Sequence, residues 1–147
     1  MGVLYIWESG PRFSVYSGRE TQYADVQSLA SYGSTRPEGG LSKNEGTVYW
    51  FTPTQADQFA FPAAGEAGTS GRNYYAGPSY SNIDAVLRKT FKWDERKSVQ
   101  LRLEGYNLFN TTHFGLPINS MESNGFGTIR TTQGAPRAFQ IALQLGF

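Results

Sequence analysis

Cysteine is absent from the chain, which excludes a disulfide framework, a thiolate metal site and thiol chemistry, and leaves the redox compartment open. Long hydrophobic runs are missing too. Nothing approaches the roughly 18 consecutive apolar residues that a transmembrane helix requires. An excess of one charge is also lacking: 13 Lys and Arg stand against 12 Asp and Glu, a formal net charge of +1. With no basic stripe to neutralise phosphates, nucleic acid is not an expected partner. His113 is the only histidine, and no ligand spacing surrounds it. Asp84 and Glu104 are the carboxylates a metal would have to recruit, and packing in a loop is the better reading. No Ser/His/Asp arrangement and no positioned carboxylate pair can be assembled, so neither enzymatic activity nor a cofactor is expected. Gly65, Gly68 and Gly71 precede Arg72, but no strand leads in and no helix follows, so they read as a loop rather than a phosphate cradle.

What is present is glycine, 17 residues of it, and 15% aromatic side chains, the composition of strands and turns. The clearest strand is the last. From Ala138 onward, Phe139, Ile141, Leu143, Leu145 and Phe147 alternate with Ala138, Gln140, Ala142, Gln144 and Gly146. Successive strand side chains point to opposite faces, so one face is apolar and the other small or polar. About 9–11 residues is the length a tilted strand needs to cross a bilayer. A soluble sandwich strand would show the same alternation.

Three further segments share the pattern. Val3, Tyr5 and Trp7 alternate with Leu4, Ile6 and Glu8, both faces partly apolar; residues 12–16 read as a continuation beyond a kink at Pro11. Ile83, Ala85, Leu87, Phe91 and Trp93 share one parity, with Asp84, Val86, Arg88, Thr90 and Lys92 on the other. Lys89 falls on the apolar parity and requires a bulge or a snorkelling side chain. After the charged turn Asp94-Glu95-Arg96-Lys97, Val99, Leu101 and Leu103 alternate with Gln100, Arg102 and Glu104. The expected strands lie near residues 3–16, 83–93, 98–110 and 138–147.

The connections are unequal. Residues 17–82 are irregular, with one short helical turn between Thr54 and Phe59 and an aromatic knot at Tyr49-Trp50-Phe51. Residues 111–137 form a second loop, with Phe126 to Arg130 as a short strand inside it. Structureless loops of such length argue against a compact soluble domain. Long loops on one side and a tight turn on the other are the signature of an outer-membrane barrel. Arg88, Arg102, Glu104 and Asp84 then lie on wet faces, paired with one another or lining a path. Tyr49, Trp50, Phe51, Tyr74, Tyr75 and Tyr80 either stack on a sugar or aromatic ligand or, the favoured reading, stiffen loops and form an aromatic girdle.

The chain resembles the carboxyl-terminal part of TonB-dependent outer-membrane receptors, closest to the subgroup with an amino-terminal carboxypeptidase-regulatory-like domain. The resemblance rests on Gly71-Arg72-Asn73, Gly77-Pro78, Asp84, Leu87, Lys89, Phe91, Arg102-Leu103-Glu104 and Asn107-Leu108-Phe109-Asn110. It continues through His113-Phe114-Gly115, Pro117, Phe126-Gly127-Thr128-Ile129, Pro136-Arg137, Gln140 and Phe147. Upstream, Ser9-Gly10-Pro11-Arg12-Phe13-Ser14-Val15 and Trp50-Phe51-Thr52-Pro53 also match.

The resemblance implies an all-β fold, a fragment of an antiparallel transmembrane barrel of about 22 strands. Such receptors import scarce substrates with energy delivered through TonB. Its partners would be outer-membrane lipid, the rest of the barrel and its plug, TonB through the missing amino-terminal region, and the barrel-assembly machinery. Phe139, Ile141, Leu143, Leu145 and Phe147 would face lipid and carry the assembly signal. Asp84, Arg88, Arg102, Glu104, Gln140 and Gln144 are the candidates to face the lumen. Plug, TonB box and signal sequence are missing: Met1 to Trp7 has no basic region, and the chain reads as if entered in mid-strand. All 147 residues would belong to one barrel segment that transports nothing alone and is insoluble without detergent. The alternative is an independent soluble β-sandwich that binds carbohydrate.

Overall fold

The computed structural model describes residues 1–93 and 95–147. The amino-terminal half holds β1 (Gly2–Glu8), β2 (Arg12–Phe13), β3 (Ser31–Tyr32), β4 (Ser42–Asn44), β5 (Thr47–Tyr49), α1 (Pro53–Ala56), β6 (Phe59–Ala60) and β7 (Tyr75–Ala76). There follow β8 (Tyr80–Lys92), β9 (Ser98–Tyr106), β10 (His113–Phe114), β11 (Thr128–Ile129), β12 (Thr132–Gln133) and β13 (Ala138–Gly146). They fall into two compact units. One comprises Met1–Glu8, Tyr80–His113 and Gln133–Phe147; the other comprises Ser9–Ser79 and Phe114–Thr132.

The first unit is built on an antiparallel four-stranded sheet in the order β1-β8-β9-β13. The four strands stand side by side in chain order, although long segments intervene between β1 and β8 and between β9 and β13. Residues 9–79 and 107–137 leave from one end of the sheet, and β8 and β9 are joined at the other. There the Trp93 N–H donates to the Lys97 carbonyl at 3.1 Å. Asp94, part of the expected charged turn, lies outside the described residues. The sheet is open, with one unpaired edge on β1 and one on β13.

The expected boundaries need three adjustments. β8 starts at Tyr80, before the resumption of alternation at Ile83. β9 stops at Tyr106, because Asn107 has a φ of 48° and turns the chain out of the ladder. The expected continuation of the first strand through residues 12–16 does not form. β1 ends at Glu8, and Arg12–Phe13 pairs instead with Tyr75–Ala76 in a separate two-stranded sheet. Gly10 and Pro11 make the break. A Cβ at Gly10 would lie 1.7 Å from the Gly77 carbonyl oxygen, and the Pro11 carbonyl accepts the Gly77 N–H at 2.8 Å.

The second unit corrects the expectation of a structureless loop. Phe13, Val15, Ala30, Phe51, Phe59 and Tyr75 form a buried cluster, with Trp50, Met121 and Phe126 packed against it. Phe51 is its centre, fully buried, with ring centroids 5.1 Å from those of both Phe59 and Tyr75. Edge-on aromatic contacts of this kind add about 0.5–1.5 kcal/mol beyond area burial. Short ladders tie the loops together: β4 with β5, β5 with β11, and β3 with β6. The expected helical turn is α1, held by a capping box in which Thr52 and Gln55 reciprocate.

Candidate functional site: the strand faces and the loop groove

Register assigns every strand residue to a face. Ala85, Gly105 and Phe139 are aligned across the sheet, as are Leu87 with Leu103 and Ile141, and Phe91 with Val99 and Leu145. On β1, Val3 opposes Ala85 and Tyr5 opposes Ile83, on the same face. Phe139, Ile141, Leu143 and Leu145 are 68%, 73%, 65% and 54% exposed, so the apolar side of the sheet meets no protein. Aromatic residues mark both ends of this face. Trp7 and Phe139 stand at the long-loop end and Phe91 at the short-turn end, with Tyr5, Lys89 and aliphatic side chains between them. Lys89 lies on this face opposite Leu101, and the register runs unbroken from Ala85 to Lys92. The bulge considered for Lys89 is therefore absent, and its side chain must snorkel.

The opposite face carries the expected polar set. Val86, Glu104 and Gln140 align, as do Arg88, Arg102 and Ala142, and Thr90, Gln100 and Gln144. Asp84 stands opposite Leu4 on the same side. Arg102 pairs with Glu104, which also accepts the Tyr106 hydroxyl at 3.2 Å. Gln100 Nε2 donates to Gln144 Oε1 at 3.2 Å. Mutual pairing, the favoured reading of these charges, thus holds for Arg102 and Glu104. It does not hold for Arg88, which faces Arg102 across the ladder and has no carboxylate partner among the described residues. Leu4, Ile6 and Val86 make the β1 side of this face partly apolar.

At the long-loop end a polar cluster closes the strands. Asp84 Oδ1 accepts the Asn82 side-chain amide and the Asn107 backbone N–H, each at 2.8 Å. Asn107 is buried; its side chain donates to the carbonyls of Thr111 and Ala135 at 3.2 Å and accepts the Thr111 N–H at 2.9 Å. The Leu108 N–H donates to the Ile83 carbonyl at 3.0 Å. Asn suits the left-handed backbone here, as does Asn110 with a φ of 51°. Asp84, Asn107 and Asn110 therefore hold a strand end. His113 is buried with its ring centroid 4.1 Å from that of Tyr80, and no group able to hold a metal occurs among the described residues.

In the second unit the aromatics divide. Phe51 and Tyr75 are core, and burial pushes the Tyr75 hydroxyl up to about 12, with the Arg36 charge opposing. Trp50 and Tyr74 instead line a groove of about 660 Å³ with Arg12, Glu38, Arg72 and Asn73. Arg12 Nη1 donates to the Tyr74 carbonyl at 2.9 Å, and the Arg36 guanidinium lies 3.8 Å from the centre of the Tyr74 ring. Sequence reasoning picked out the aromatics; it weighed Arg72 only in a phosphate cradle that it set aside and through the family resemblance, and Arg12 only through that resemblance. Arg12, Arg36 and Arg72 come from β2, the segment between β3 and β4, and the segment before β7, which share no local pattern.

An antiparallel sheet with one exposed apolar face edged by aromatics, a hydrogen-bonded polar face, and long connections at one end is a piece of membrane barrel wall. The chain belongs to the outer membrane β-barrel domain family, whose model matches residues 1–140. No curated protein and no solved structure matches it. Family membership makes it an outer-membrane protein and sets aside the alternative of an independent soluble sandwich.

Proposed function

We propose that the chain is the carboxyl-terminal barrel segment of a TonB-dependent outer-membrane receptor that imports a scarce substrate. The observation that carries the membrane role is where the core lies. Among the described residues, every buried hydrophobic side chain belongs to the loop unit, and the apolar face of the sheet is left exposed. Such a face is stable against lipid. On this reading Phe139, Ile141, Leu143, Leu145 and Phe147 face lipid and form the signal read by the barrel-assembly machinery. Asp84, Arg88, Arg102, Glu104, Gln140 and Gln144 face the lumen, where a plug domain would cover Leu4, Ile6 and Val86. The segment contributes wall and loops, not catalysis. The TonB-dependent part of the reading rests on the ordered family residues, Asp84, Asn107-Leu108-Phe109-Asn110 and Pro136-Arg137 among them.

Two measurements test it. An antibody against the loop unit, applied to an outer-membrane fraction of the source cells, should detect a polypeptide several times larger than 147 residues that shifts on heating, as barrels do. That detergent-solubilised protein should be retained by an immobilised periplasmic domain of TonB. A product of this chain's own size would overturn the segment reading. A large barrel that TonB does not retain would overturn the receptor reading.

A further inference from the structure

The groove in the loop unit has a chemistry of its own. Arg12 and Arg72 both line it, and neither has a carboxylate partner among the described residues. Arg36 adds a third guanidinium against the Tyr74 ring, while Glu38 is the only acid in the lining. Arginines left without acids around one concavity favour an anion, and guanidinium groups bind carboxylates and phosphates through paired hydrogen bonds. Arg12 is held in place by the Tyr74 carbonyl, so part of its ordering cost is already met.

The groove also offers ring surfaces. Tyr74 is 49% exposed, and Trp50 is half-buried against Gly39, where a Cβ would fall 2.2 Å from Trp50 Nε1. A volume of about 660 Å³ lies within the usual range for small-molecule sites.

We propose that this groove binds an anionic carbohydrate, with Arg12 and Arg72 taking its carboxylate or phosphate and Trp50 and Tyr74 taking a sugar face. The inference deepens the receptor reading by naming the substrate class, and it rests on that reading for the link to import. Binding itself needs neither TonB nor transport, so the two fail separately.

The test is equilibrium dialysis on the full-length protein in detergent. The probes are trigalacturonate, its uncharged counterpart galactotriose, glucose 6-phosphate and inorganic phosphate. Binding of trigalacturonate or glucose 6-phosphate, at least about tenfold tighter than either galactotriose or inorganic phosphate, is expected. Which of the two acids binds tells carboxylate from phosphate. Arg72→Gln, which removes no hydrogen bond or ion pair among the described residues, should weaken the acid about tenfold or more, and Trp50→Ala should weaken it while leaving the barrel's heat-modifiability unchanged. Binding by neither acid, equal binding of galactotriose, equal binding of inorganic phosphate, or an Arg72→Gln protein that binds as well as the parent would each overturn the proposal.

Discussion

Asp84 Oδ1 accepts the backbone N–H of Asn107 at 2.8 Å, joining β8 to the residue at which β9 ends. The contact places one carboxylate on an N–H that has left the ladder and would otherwise lack an acceptor. Asp84→Ala should cost about 1.5–3 kcal/mol, the range for a hydrogen bond to a charged group. Asp84→Asn should cost less, since an amide oxygen can still accept. Urea-induced unfolding of the detergent-folded barrel measures both, and a neutral Asp84→Ala would refute a role in holding the strand end. Asn107→Gly keeps the left-handed backbone but loses three side-chain bonds. It should destabilise more than Asn110→Gly, because the Asn110 side chain makes no hydrogen bond among the described residues.

Leu143 and Gln144 are adjacent in β13 and point to opposite faces. If Leu143 faces lipid near mid-strand, Leu143→Arg should destabilise by about 2–4 kcal/mol in a bilayer. Gln144→Arg, toward the other face, should change stability little. Folding into lipid vesicles, followed by tryptophan fluorescence, makes the comparison. Equal effects would mean that the faces are wrongly assigned.

Phe51 is the centre of the loop core, and its truncation should act locally. Phe51→Ala should cost about 3–5 kcal/mol of loop-unit stability, the usual loss for a buried aromatic. Hydrogen exchange should rise across β5, β6 and β7 while β9 and β13 keep their protection. Exchange rising uniformly in both units would show that they unfold as one.

The Tyr75 hydroxyl titrates near 12 because burial disfavours the phenolate. Above the ordinary tyrosine value of about 10 the unfolded chain loses this proton first, so it binds fewer protons than the folded one and stability falls as pH rises. The loss accumulates between pH 10 and about 12 and is on the order of 2 kcal/mol. The Tyr75 hydroxyl has no partner, so Tyr75→Phe should remove this alkaline loss and leave neutral-pH stability unchanged or slightly higher. Local hydrogen exchange at pH 8 and denaturant melts at pH 8 and pH 11 check both outcomes.

From Val99 to Glu104 and from Phe139 to Leu145, the alternation of apolar and polar residues determined by itself which side of the sheet each residue takes. A strand's period of two is a local property, and a one-residue slip would invert every face. The reading of Phe139 to Leu145 against Gln140 and Gln144 needed nothing further. Asn107-Leu108-Phe109-Asn110 was legible as a strand ending, but not as the partner of Asp84. Tertiary structure alone decided that Arg12–Phe13 leaves the first strand, that Phe51 and Tyr75 are core while Trp50 and Tyr74 line a groove, and that the arginines converge there. Those outcomes depend on aromatic rings at positions 13, 51, 59, 75 and 126 packing together. Residues so far apart in the chain meet by burying surface, and burial leaves no period in the sequence.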